Sequence, residues 1–168
     1  MNSTVDSLTG VSEVGVSASA FNIVWRPEPH TTPDEWLEAD FDGDGQYDWS
    51  YRKDNQIWVL NNTTNTYELF QVYGNGNSED EYLVGDWDGD GRDNIAVRRG
   101  SQILMDYNYD GYHDQFQIYG YGNSEDGYLV GDSDGDGRDN IGVLRGAYAW
   151  VDYNYDSYHD DIISWIVL

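Results

Sequence analysis

Cysteine is absent from this chain, so neither a disulfide framework nor a thiolate metal site is open to it. Proline is nearly absent: its three residues all fall between positions 27 and 33, which marks a loop there and leaves the rest free to form ladders. Basic side chains are scarce as well. Eight Lys and Arg stand against 32 Asp and Glu, a formal net charge of −24. A nucleic-acid backbone needs a basic footprint and an anionic leaflet attracts polybasic segments, so neither is an expected partner. No apolar run approaches the roughly 20 residues of a spanning helix, so membrane insertion is not expected. Residues 1–10 lack a basic stretch followed by an apolar one, so no signal peptide is expected in this sequence.

What is present is aromatic, acidic and periodic. The 168 residues include 15 Tyr, 7 Trp and 19 Gly, with 39% hydrophobic content, enough for the core of one turn-rich β domain. The stretch from Asp86 to Asn94 reads D-W-D-G-D-G-R-D-N. It is matched by D-F-D-G-D-G-Q-Y-D from Asp40 to Asp48 and D-S-D-G-D-G-R-D-N from Asp132 to Asn140. The first aspartates, Asp40, Asp86 and Asp132, stand 46 residues apart both times. A fixed period of this size is the mark of a repeat architecture.

Carboxylates at positions 1, 3 and 5 with glycine at 6 open a calcium loop. Calcium takes about six to eight oxygens at about 2.3–2.6 Å, and alternate side chains of a tight loop can converge on one ion while glycine makes the bend. The expected ligands are Asp40, Asp42, Asp44, the Gln46 carbonyl and Asp48 in the first loop. They are Asp86, Asp88, Asp90, the Arg92 carbonyl and Asn94 in the second, and Asp132, Asp134, Asp136, the Arg138 carbonyl and Asn140 in the third. An EF-hand is excluded. Its loop closes on a glutamate at position 12, where this chain has Tyr51, Val97 and Val143 in apolar alternation.

A second acidic loop follows in two of the repeats. Asp106, Asn108, Asp110, the Tyr112 carbonyl and Asp114 form one set; Asp152, Asn154, Asp156, the Tyr158 carbonyl and Asp160 form the other. Ser157 replaces the position-6 glycine in the latter, and a left-handed non-glycine residue costs on the order of 1 kcal/mol, so that site is expected to be the weakest of five. In the first repeat the equivalent stretch, 60–68, keeps almost none of these groups, and no metal is expected in it. Together these loops hold 18 of the 32 acids, so the acidity reads as metal sites more than as a solvated surface.

The fold expected is all-β: three 46-residue, four-stranded antiparallel repeats, resembling propeller blades, behind a leading N-terminal strand. The second and third repeats, 73–118 and 119–164, agree at 31 of 46 positions. Residues 1–34 read as a leader strand (16–25) and proline-rich loop, and 35–168 as the repeats, about 35–74, 75–120 and 121–168. In an antiparallel meander the turns after the first and third strands share one end, so all acidic loops should crowd one face. Three blades are fewer than the four to eight of a closed propeller. A second chain could complete the ring, and a β-trefoil or a linear stack of blades are the alternatives. The leader could equally cover its own chain's edge or add to another chain's sheet, building a homo-oligomer or filament.

Acidic D-x-D-G-D-G loops between short strands, each followed by an I/A-x-V run, with an aromatic-Gly pair before the next unit, resemble FG-GAP and VCBS-type repeats over about 35–168. That resemblance implies a calcium-binding β-propeller module of extracellular or surface proteins, with adhesion or interaction as its role and no catalysis. The chain departs from the family pattern at Asn94 and Asn140, where the family has Asp, and Tyr-Gly replaces Phe-Gly. The partner expected is a protein or a glycan at a surface. A calcium-dependent lectin is the alternative reading, with Tyr73, Asn75, Tyr119 and Tyr121 in the connections as candidate sugar contacts and Tyr107, Tyr109, Tyr153 and Tyr155 in the second loops behind them. Residues that break the repeat, Glu28, His30, Asp34 and Glu35, sit around the proline loop and read as solvated. No Ser/His/Asp set, phosphate-cradling loop or zinc spacing accompanies them.

Overall fold

The computed structural model describes residues 27–123 and 126–164. Among them there is no helix. Twelve strands form three separate four-stranded sheets, each a simple antiparallel meander. The first sheet runs β1 (Glu35–Ala39), β2 (Asp48–Lys53), β3 (Gln56–Asn61) and β4 (Thr66–Val72). The second runs β5 (Glu81–Gly85), β6 (Asn94–Arg99), β7 (Gln102–Asp106) and β8 (Gln115–Ile118). The third runs β9 (Gly127–Gly131), β10 (Asn140–Arg145), β11 (Tyr148–Asp152) and β12 (Asp161–Ser164). Strand order within each sheet follows the chain, and the sheets do not close into a barrel, so the trefoil alternative falls away. The leader strand expected at 16–25 lies outside the described residues.

The sheets stack in chain order through their first strands, β1 against β5 and β5 against β9. Between the first two sheets lie Leu37, Ala39, Phe41 and Ile57 on one side and Tyr82, Ile95 and Val97 on the other. Between the second and third lie Trp87, Ala96, Ile103 and Met105 against Ile141 and Val143. The period-2 rule explains why β6 is buried from Asn94 to Arg98 without alternation. Ile95 and Val97 point into the first junction while Ala96 points into the second. Among the described residues, only the middle sheet has another sheet on each face.

The first sheet protects its outer face differently. Tyr51, Leu60 and Tyr67 make a separate aromatic layer with Trp58 against it, and the Trp36 ring meets Tyr51 edge-on at 5.7 Å. The proline loop is fastened over this layer. The His30 ring meets Trp58 edge-on at 5.4 Å, with Nε2 2.6 Å from the Tyr67 carbonyl, and Asp34 takes an ion pair from Lys53 at 2.7 Å. His30 and Asp34, expected to be merely solvated, are fasteners of the first repeat. The reason is that, among the described residues, no neighbouring sheet covers the outer face of this end repeat.

Candidate metal centre

Each first-type loop joins the first two strands of its sheet, and its backbone is wound around its own aspartates. The Asp40 carboxylate accepts from the amides of Gly43, Asp44 and Gly45, at 2.8, 3.1 and 2.7 Å. Asp86 does the same for Gly89, Asp90 and Gly91, and Asp132 for Gly135, Asp136 and Gly137. The position-5 aspartates Asp44, Asp90 and Asp136 then accept from the amides of Gln46, Arg92 and Arg138. Gly45 and Gly91, at position 6, hold φ of +83° and +87°, as a sharp bend requires.

This winding gathers oxygen. Carboxylate atoms of Asp40, Asp42 and Asp48 lie within 4.8 Å of one another, as do those of Asp86, Asp88 and Asp90 and those of Asp132, Asp134 and Asp136. Three Asp triads, one per repeat, are therefore positioned to hold a cation. Clustering has an electrostatic cost. Burial, together with the negative charge of Asp42 and Asp40, pushes the Asp48 carboxyl above its ordinary range, and burial beside Asp90 does the same to Asp88. A divalent ion would offset that cost directly. The all-oxygen donor set suits a hard cation such as calcium and would not select zinc or copper. Asn94, at position 9, is fully buried and its Oδ1 has no hydrogen-bond partner among the described residues, a carbonyl oxygen free to serve as a ligand. At the same position Asp48 and Asn140 instead accept from the Phe41 and Ser133 amides, closing their loops.

The second-type loops are wound in the same way, and their first aspartates are buried. Asp106 and Asp152 are fully buried and accept from the Gly111 and Ser157 amides at 2.7 and 2.8 Å. Each is also gripped from the preceding sheet: Gln71 Nε2 donates to Asp106 and Gln117 Nε2 to Asp152, at 2.6 and 2.5 Å. Asp114 and Asp160 accept from the Tyr107 and Tyr153 amides, and Asp110 and Asp156 from the Tyr112 and Tyr158 amides. Asn108 and Asn154 turn their amides toward Asp114 and Asp160. Among the described residues these acids do not converge into a triad as those of the first loops do. Ser157 does sit at φ +76°, the strained left-handed conformation its place in the loop demands.

Two residues flanking position 9 carry a role the loop pattern does not announce. Asp93 Oδ2 accepts the Asp40 amide at 2.7 Å while the Asp93 amide donates to the Asp40 carbonyl at 2.8 Å. Asp139 repeats both bonds with Asp86, at 2.9 and 2.8 Å. These position-8 acids latch each loop to the one before it. Gly43 lies against Arg92 of the following loop, where an added Cβ would come within 3.1 Å, and Gly89 lies equally close to Arg138. Tyr109 and Tyr155 complete the junctions, their hydroxyls donating to the Asp93 and Asp139 carbonyls. The signal was present in the sequence as the acid repeated at Asp93 and Asp139 but missing at Tyr47, the one loop with no predecessor.

Of the connection residues, Tyr73 and Tyr119 are core side chains, each 5% exposed, whereas Asn75 is exposed and Tyr121 is 79% exposed. Tyr107, Tyr109 and Tyr155 are half-buried in the junctions. No family model matches this chain, and no curated protein matches it.

Proposed function

We propose that this protein is a non-enzymatic calcium-binding repeat module of the FG-GAP/VCBS type, working outside the cell or at its surface in adhesion or interaction. The observation that carries this reading is the threefold recurrence, at 46-residue spacing, of three aspartates whose carboxylate oxygens lie within 4.8 Å. One such cluster is ordinary surface decoration. Three in register, each wound by the same backbone bonds and latched to the next, support a cation as the reason for the clustering. The chemistry asked of the ion is structural: it neutralises crowded carboxylates at the end where the sheets join, and its binding free energy adds to folding free energy. Loops of modest affinity of this kind suit a compartment with calcium near the millimolar range.

Terbium titration tests it. Trp87 lies inside one loop and Tyr107 beside the next, so bound terbium should be sensitised, with three to five ions per chain and displacement by calcium. Asp88→Ala should remove one ion's emission. Absence of sensitised emission, together with a melting temperature indifferent to chelator, would sink the reading.

A further inference from the structure

The second and third repeats differ at 15 of 46 positions. Three of those differences bring an aromatic residue where the second repeat has none: Asn75 becomes Tyr121, Gln102 becomes Tyr148 and Leu104 becomes Trp150. Tyr121 lies well before the other two in the chain, yet its ring and that of Trp150 meet the Arg145 guanidinium, and Tyr148 pairs with Arg145 across β10 and β11. The Arg145 guanidinium lies 4.5 Å from the Tyr121 ring centre and 5.8 Å from that of Trp150, and Trp150 meets Tyr148 at 6.0 Å. Arg145 is itself held by a two-pronged ion pair to Asp126, whose side chain is 1% exposed. Its charge is thereby neutralised and its plane fixed as a support for the rings.

Beside this cluster a cavity of about 410 Å³ runs from Gly120 and Tyr121, past Trp150, to Ser157, Tyr158 and His159. Volumes of this order are those of small-ligand sites. Ser157 is a fourth departure from the repeat, a strained hydroxyl-bearing residue in place of Gly111, and it faces the same cavity. Tyr121 and Tyr158 stand at its mouth, 79% and 76% exposed.

We propose that this groove, at the junction of the second and third sheets, binds a neutral carbohydrate. The axial C–H faces of a pyranose pack on flat aromatic rings, and its hydroxyls pair with the Ser157, Tyr158 and His159 edges. Anionic sugars and phosphates are disfavoured by the exposed Asp156 and Asp160, which flank the lining residues Ser157 and His159 in the chain, and by Arg145 being already paired. The site is separate from the three metal triads, although Ser157 and Tyr158 belong to the fifth expected calcium loop, and the chelator arm of the test distinguishes the two readings.

The test uses the second repeat as its own control. In the full chain, Tyr121→Asn and Trp150→Leu restore residues that the neighbouring junction already accommodates, so folding should survive; the melting temperature and terbium stoichiometry confirm it. The wild type is screened on an array of neutral glycans, with and without chelator. Hits are followed by tryptophan fluorescence against the corresponding methyl glycosides. The expected result is binding with Kd at or below about 1 mM, weakened at least tenfold by either substitution and abolished by both. No glycan bound at that level, or binding that survives the double substitution, would overturn the proposal.

Discussion

The two junctions of this protein are built from the same parts and finished differently. Each has a position-8 aspartate latched to the preceding loop, a glutamine reaching a buried aspartate, and an arginine over a tyrosine. The last pairing is Arg52 on Tyr82 at 4.7 Å in the first junction and Arg98 on Tyr128 at 4.3 Å in the second. What is common is therefore what holds sheet to sheet. What differs is the outer groove: polar and aliphatic in the first junction, with Asn75, Leu104 and Gly111, and aromatic in the second, with Tyr121, Trp150 and Ser157. Structural parts are constrained by the repeat they must join, whereas a groove that serves no joint is free to diverge.

The widest way to strain both junctions together is to remove the metal. An ion at about 100 times its Kd adds about 2.7 kcal/mol, and in a chain of this size each kcal/mol is about 2–4 °C. Three occupied triads should therefore raise the melting temperature by about 16–32 °C over the chelated protein, measured by calorimetry in calcium and in excess chelator. A shift of a degree or two would mean that the triads are structural turns. A narrower strain falls on apolar filling. Trp87 is fully buried between the second and third sheets, and its counterpart Phe41 fills the first junction. Trp87→Ala should cost about 3–5 kcal/mol in chemical denaturation. Phe41→Ala should cost the same order, since both rings are fully enclosed.

Smaller still is the latch. Asp93→Ala and Asp139→Ala each leave a loop amide, of Asp40 or Asp86, without its acceptor, an expected loss of about 1–3 kcal/mol. If the junctions are equivalent parts, the two losses should agree within about 0.5 kcal/mol. A large inequality would break the comparison, showing that one junction carries the stack.

Much of this architecture is legible in the sequence because two periods coincide. The 46-residue repeat fixes where each loop falls, and the period-2 alternation around it fixes the strands: Asn94–Arg98 was readable as a strand, and β6 is Asn94–Arg99. The triads were legible for the same reason: the second and third use positions 1, 3 and 5, a local spacing of the backbone, and the first uses positions 1, 3 and 9 of the same loop. The latches showed only as an acid repeated at Asp93 and Asp139, because the hydrogen bonds between Asp93 and Asp40 cross 53 residues and nothing in either loop alone requires them. The grip on the second loops was not legible: Gln71 and Gln117 arrive from a neighbouring sheet to bond Asp106 and Asp152. Likewise Tyr73 and Tyr119 sit in connections that read as surface, yet stacking of the sheets buries them. Pairwise packing between repeats is the level at which a single strand's pattern stops speaking.

The finest difference between the junctions lies in the ion pairs beneath the grooves, and pH separates them from everything else. Hydrogen bonds from Arg145 hold the Asp126 carboxyl below its ordinary value of 3.8. For Asp80 burial pulls upward, but hydrogen bonds from Arg99 and the Asn75 amide outweigh it and the net displacement is again downward. A carboxyl lowered on folding contributes stability that is complete above its unfolded value and is lost as pH falls through its folded one. Asp80→Asn and Asp126→Asn should therefore each cost about 1 kcal/mol at neutral pH, because the paired arginines remain partly solvated. The gap to the wild type should close as the pH drops below 3.8, with metal absent throughout so that ion release does not mask the effect. Of the two, Asp126→Asn alone should also loosen the groove: Arg145 loses its anchor beneath Tyr121 and Trp150, while the positions equivalent to those rings beside Arg99 are Asn75 and Leu104. Equal glycan binding by Asp126→Asn and the wild type would show that the aromatic cluster keeps its shape without the ion pair.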